Sequence, residues 1–151
     1  PSDYELDLTK LPKELRGKTR VDIVVTGELP SGENVVSKVP FRIKPLPTPF
    51  GSLDKTNPET LTKSELKSST ITATFGEDFD FNLPLRVQGF KITIEGEGSY
   101  LCEGSELSGP AKRAIDRARR NSLVRVSEIK TRAIGSTTEV NNALPASFTL
   151  M

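Results

Sequence analysis

Hydrophobic residues recur at every second position in several separate stretches of this chain, and a period of two predicts strands. Val21, Ile23 and Val25 alternate with Asp22, Val24 and Thr26. After a turn at Pro30, Ser31 and Gly32, residues Val35, Ser37, Val39, Phe41 and Ile43 share one face while Lys38, Pro40 and Arg42 share the other. These two stretches read as the closing strands of a β-sandwich, with residues 4–8 as an earlier strand. Ile71, Ala73 and Phe75 alternate with Thr70, Thr72 and Thr74. From 79 to 94 the alternation is longest: Phe79, Phe81, Leu83, Leu85 and Val87 hold odd positions, then Phe90, Ile92 and Ile94 hold even ones. A one-residue slip turns a whole strand face over, so the change of phase at Gln88-Gly89 predicts a bulge or sharp bend at Gly89. Pro84 cannot donate to a ladder, which puts the first half of this stretch at an edge or another bulge. Residues 123–132 and 146–150 read as two further strands, the latter with Phe148 and Leu150 on one side.

Helical spacing is sustained in one place. Ser108-Gly109-Pro110 opens it, and Ala111, Ala114, Ile115 and Ala118 fall within about a 100° arc. Lys112, Arg113, Arg117 and Arg120 lie on the opposite side, and Arg119 and Arg120 suit a helix C-terminus, where the macrodipole favours cations. A shorter helical turn is predicted at 62–67, with Thr62 as N-cap and Glu65 at capping-box spacing. Pro45, Pro47 and Pro49 at alternate positions favour a stiff, extended linker. The fold class is therefore mainly β: the end of an immunoglobulin-like β-sandwich in 1–44, a proline-spaced linker in 45–51, and a β-rich C-terminal domain in 52–151 with one amphipathic helix near 110–120.

Composition narrows the function classes. The 151 residues suffice for one domain carrying a piece of a neighbour. Lys and Arg number 21 against 20 Asp and Glu, so no global field draws the chain to nucleic acid or an anionic membrane. There is no histidine, which removes the commonest general base and metal ligand and excludes a Ser or Cys triad. Cys102 stands alone, so it forms no intrachain disulfide or zinc cluster and reads as a small buried or half-buried residue. The apolar runs fall far short of the roughly 20 residues that span a bilayer, and no signal-peptide pattern opens the chain. A start at Pro1 within strand-like sequence suggests a fragment of a longer protein.

Glu77, Asp78, Asp80 and Asn82 form the one acidic cluster, and strand alternation would aim Asp78, Asp80 and Asn82 outward together. Oxygen ligands at this spacing could hold calcium, yet the loop glycine and distant bidentate carboxylate of a calcium hand are missing, and a solvated face explains the pattern. A glycosidase reading lacks any tryptophan for sugar stacking. The basic helix could track phosphates, but without stacking aromatics it reads better as a solvated face or a site for an anionic protein. Phe79, Phe81 and Phe90 read as core, and Gly96, Gly98 and Gly104 as turns. No catalytic, cofactor-binding or metal residue emerges. The residues alone describe a soluble β-rich binding or structural domain.

A family resemblance goes further. Val39-Pro40-Phe41-Arg42-Ile43-Lys44 with Pro45-Leu46-Pro47-Thr48-Pro49 resembles the strand and linker that open the C-terminal domain of the GldM/PorM family. Asp78-Phe79-Asp80-Phe81 through Val87 to Phe90 resembles its aspartate-phenylalanine strand. Glu106-Leu107-Ser108-Gly109, the basic helix and Val126-Ser127-Glu128-Ile129-Lys130 resemble its helix-to-strand unit. The resemblance implies a periplasmic coupling module of the type IX secretion and gliding machinery. The full-length protein would be anchored in the inner membrane, would work there with a proton-driven motor partner through its N-terminal region, and would reach an outer-membrane-associated lipoprotein ring. It implies no enzyme activity, cofactor, nucleic-acid partner or direct membrane contact by this fragment. Unpaired strand edges at the N-terminal cut suggest a homodimer. The expected partner-binding surface joins Asp78, Asp80 and Asn82 to Lys112, Arg113, Arg117 and Arg120. The alternative is a carbohydrate- or protein-binding β-sandwich of a surface or secreted protein.

Overall fold

The computed structural model describes residues 20–42, 44–136 and 138–151; the strand expected at 4–8 and Ile43 lie outside them. The chain divides into two compact units, 1–46 and 47–151.

In the first unit, β1 (Arg20–Glu28) and β2 (Asn34–Arg42) form an antiparallel hairpin that pairs Val21 with Phe41, Ile23 with Val39 and Gly27 with Val35. Gly32 closes the turn at φ +83°, donating its N–H to the Leu29 carbonyl at 2.8 Å. The predicted alternation puts Val21, Ile23, Val25, Val35, Val39 and Phe41 on one face. Only Val21 and Ile23 are half-buried, because among the described residues this two-stranded ribbon has no second layer to cover that face.

The second unit is built on a five-stranded sheet of order β4-β9-β8-β6-β7, antiparallel except for the β4–β9 pair. Its strands are β4 (Thr60–Leu61), β6 (Leu85–Ile94), β7 (Gly98–Glu103), β8 (Leu123–Ala133) and β9 (Ala146–Leu150). A separate pair, β3 (Phe50–Leu53) with β5 (Ile71–Thr74), and the helices α1 (Lys63–Ser68) and α2 (Gly109–Arg117) complete the unit. The core lies on one face of the large sheet. Phe90, Ile92 and Ile94, then Val124, Val126 and Ile129, then Phe148 and Leu150 join Leu66 of α1, Ala111, Ala114 and Ile115 of α2, and Leu53 and Ile71 of the small sheet. Cys102 is buried in the same cluster, as expected.

The change of phase in β6 is a bulge. Val87 pairs with Thr131 and Gly89 with Lys130, so β6 spends two residues where β8 spends one. From Gly89–Lys130 to Lys91–Ser127 the imbalance reverses, and β8 takes up its extra residue around Glu128, at φ +50°. Both strands therefore turn over together. Val87 and Phe90 stay inside on β6, and Val126 and Ile129 stay inside on β8.

Four local expectations are corrected. The alternation at 79–83 is not a strand: β6 begins at Leu85, opposite Ala133 at the end of β8, and among the described residues no strand extends further to pair with it. Phe81, expected in the core, is 74% exposed on that loop. The proline segment gives way to β3 at Phe50, so Phe50 and Gly51 pair with Thr74 and Ala73. Helix α2 stops at Arg117, because Ala118 turns extended (φ −58°, ψ 146°) and the chain reverses through Asn121 (φ +67°) into β8; Arg119 and Arg120 lie beyond it.

Helix α1 has the predicted capping box. The Glu65 N–H donates to Thr62 Oγ1 at 3.2 Å, and Glu65 Oε2 accepts from the Thr62 N–H at 2.8 Å and hydroxyl at 2.7 Å. The backbone hydrogen bond from Thr62, then its hydroxyl, holds the Glu65 carboxyl below the usual carboxylate range. A lowered folded-state pKa means that this contribution is present above the unfolded value and lost as pH falls through the lowered one. Hydrogen exchange of the α1 amides should be faster in Glu65→Ala than in wild type at neutral pH, and the two should converge as pH drops below the carboxylate range. Gly51 supports a second test. A methyl there would press on Ile129 Cδ1 and sit 2.7 Å from the Leu144 carbonyl oxygen, whereas Gly27 has open space. Gly51→Ala should lower stability in urea unfolding by about 1–3 kcal/mol, with Gly27→Ala within about 0.5 kcal/mol of wild type.

Candidate functional site

Asp78, Asp80 and Asn82 lie in the loop between β5 and β6, exposed, and not on a strand face. A turn carries them, with the Phe79 N–H donating to the Gly76 carbonyl at 3.0 Å. The phenylalanines between them pack on one another: Phe75 and Phe79 have ring centroids 4.3 Å apart, and Phe81 meets Phe79 edge-on at 5.6 Å. Beside them runs an open cleft of about 430 Å³, lined by Lys55, Thr72, Thr74, Phe79, Phe81 and Asn82 among others. Asp78 and Asp80 do not line it. Among the described residues no three histidine, cysteine or carboxylate side chains come together to hold a metal ion.

The basic residues near α2 are partly engaged already. Ser108 caps the helix, its hydroxyl accepting from the Ala111 N–H at 3.4 Å, and Ala111, Ala114 and Ile115 face the core. Arg117 Nε donates to Glu97 Oε2 at 3.0 Å and Nη2 to the Tyr100 hydroxyl at 3.5 Å. Asp116 on the same helix accepts Lys67 Nζ at 2.6 Å and ties α2 to α1. Arg113 is exposed, Lys112 half-buried, and Arg120 sits in the following turn. Arg117 and Arg120 border a second cleft with Glu95 and Glu97, so carboxylates already temper the charge there.

The two halves of the expected surface do not meet. The acidic loop enters β6 at Leu85, while the Arg117–Arg120 cleft lies by the Glu95–Glu97 turn just past Ile94. A ten-residue strand separates them by roughly 30 Å at about 3.3 Å per residue. Sequence reasoning missed a third feature. The alternation that buries one face of β6 and β8 leaves Arg86, Lys91, Arg125, Lys130 and Arg132 on the other. The signal was present in β8, where Arg125 and Ser127, then Lys130 and Arg132, flank the bulge at alternate positions.

No helix among the described residues is long and apolar enough to cross a membrane. A comparison with curated proteins finds no match. The family model described as the GldM C-terminal domain matches residues 44–150, which is 107 of the 151 positions and nearly the whole of the second unit. A match of that extent covers the sheet, both helices and the β3–β5 pair, and it agrees with the resemblance carried by the aspartate-phenylalanine segment and the helix-to-strand unit. This chain belongs to the GldM C-terminal domain family, a component of the gliding and type IX secretion machinery.

Proposed function

We propose that the chain is a periplasmic, non-catalytic coupling module that passes force from a proton-driven inner-membrane motor to an outer-membrane-associated ring. The family match over residues 44–150 carries this reading. The way the chain enters the second unit supports it mechanically. Leu144 donates its N–H to the Pro49 carbonyl at 2.8 Å, Gly51 donates to the Leu144 carbonyl at 2.9 Å, and Asn141 Nδ2 reaches Thr48 Oγ1 at 3.4 Å. Tension applied at residue 47 is thus taken up within four residues by a folded body whose main element is the β6–β8 pair. Such a body transmits a pull by staying rigid and docking firmly.

The reading includes a homodimer. The hairpin of the first unit exposes Val24, Val25, Val35, Val36, Val39 and Phe41, more apolar surface than a two-stranded ribbon ordinarily leaves to water. A second copy is the occupant this reading assigns to it.

The test is co-purification. The full-length protein, extracted from its source membranes in mild detergent, should bring down a ring-forming lipoprotein complex, and deletion of residues 47–151 should abolish capture without removing the protein from the membrane fraction. Light scattering on the purified bait should give the mass of a dimer. Equal capture by the deleted form, or recovery of glycan and unrelated surface proteins instead of the ring, would sink the coupling role and favour the alternative binding module.

A further inference from the structure

The outward face of the five-stranded sheet has an unbalanced charge built into its register. Val87, Thr131 and Ala133 point to the core, so Arg86, Lys130 and Arg132 point the opposite way, and all three are exposed. Arg86 and Arg132 are direct cross-strand partners, and Lys130 follows two positions along from Arg132, opposite Gly89. Directly opposed side chains stand about 5 Å apart at Cβ, and like charges so placed destabilise a sheet. Among the described residues none of the three is in an ion pair. Lys91 and Arg125 continue the face; Glu128 holds Lys91 at 3.2 Å, and Glu103 is the other acid among the outward positions of β6, β7 and β8. Five cations therefore stand against two carboxylates on a sheet face of a chain whose formal charge is +1.

The other side chains here indicate which anion fits. Further along the face, Leu101, 77% exposed, stands opposite Lys91 and Leu123, 51% exposed, beside Arg125, with Thr93, Ser99 and Ser127 between them. A flat face of mixed apolar, hydroxyl and cationic groups suits a protein surface. The outward positions of β6, β7 and β8 carry no aromatic side chain on which a base could stack, which disfavours single-stranded nucleic acid.

We propose that this open sheet face, centred on Arg86, Lys130 and Arg132, is the docking surface for an acidic segment of a partner protein. An incoming carboxylate would bridge the opposed guanidiniums, so the cost of placing them together in the unbound state is recovered on binding. The inference deepens the coupling reading, on which it rests for the choice of a protein as occupant.

Two arms test it. In the first, a fluorescein-labelled 12-residue Glu/Asp-rich peptide is titrated with residues 1–151 at low salt. A Ser/Gly peptide and a 12-nucleotide single-stranded DNA serve as comparisons. The acidic peptide should bind in preference to both, and Arg86→Glu/Arg132→Glu should weaken it at least tenfold, while Lys112→Glu/Arg113→Glu on α2 changes it less than threefold. Binding should also fall steeply with salt. Arg132→Thr supplies a readout that misfolding would not mimic: relief of the like-charge pair should raise the melting temperature while affinity falls. In the second arm the same variants are placed in the full-length protein and scored for capture of the ring. Capture unaffected by the Arg86/Arg132 reversal but lost in the α2 reversal or in Asp78→Lys/Asp80→Lys would overturn the inference and leave the coupling role standing. Tighter binding of DNA than of the acidic peptide, abolished by the same reversal, would overturn it in favour of a nucleic-acid surface. If the peptide arm succeeds and wild type captures no ring, the coupling role fails and the acidic docking face stands.

Discussion

The second unit depends on one constraint: β6 and β8, the two longest strands of the sheet and its longest pairing, must keep the same face inward along their whole length. A regular ladder would have carried Val87 and Phe90 to opposite sides, since they are three positions apart. The extra residue near Gln88 in β6 and the one near Glu128 in β8 correct both strands at nearly the same level. Either bulge alone would leave one strand with a charged half inside. With both in place, Phe90, Ile92, Val124, Val126 and Ile129 are each 2% exposed or less. The residue at the β8 bulge takes positive φ without being glycine, a conformation that costs energy and persists only where the surroundings over-determine it. The Lys91–Glu128 ion pair lies across this level, but it is exposed and contributes little beside the burial it accompanies.

A sheet corrected in this way has two unlike faces. The inner one is covered by small helical residues and by the β3–β5 pair, where Gly51 lets the backbone lie directly against Ile129 and Leu144. Nothing in the packing requires the outer face to be basic. Exposed strand positions accept threonine, serine or paired charges at similar stability, and an opposed Arg86–Arg132 pair is a poor choice on stability grounds alone. Choices that cost stability without structural return are where function concentrates.

Much of the architecture was legible because alternation, capping and proline spacing are local signals. The bulge at Gly89 followed from phase alone, as did the α1 capping box from Thr62 and Glu65 and the inward alanines of α2. The 79–83 segment misled for a physical reason. Alternation records which side chains could share a face, but a strand also needs a neighbour, and β8 ends at Ala133, opposite Leu85. Phe79 packs against Phe75 and meets Phe81 edge-on in a loop, with Phe81 left exposed. The strands β3, β4 and β7 escaped notice because they are short and rich in glycine, serine and threonine, so their identity comes from pairing and not from pattern. The β8 phase change was readable from Val124 and Val126 against Ile129 and Ala133, and reading it would have exposed the cationic face.

The candidate site was less legible than the fold because charge on a surface has meaning only with its neighbours in space. Arg117 reads as a free cation in the sequence, yet Glu97 and Tyr100 take it up from twenty and seventeen residues away. Asp116, which carries no signal in the sequence, is the anchor between α1 and α2. Arg86 and Arg132 lie far apart in sequence, and antiparallel pairing sets them side by side. Under the coupling role proposed above, this distribution would have a mechanical logic. Arg117 is spent on Glu97 in the turn after β6, and Lys67 on Asp116, which ties α2 to that turn and to α1. Arg86 and Arg132 sit on the strands themselves, so a partner gripping them would hold β6 and β8 directly, the two strands that share the longest ladder of the second unit and through which load would spread across its core.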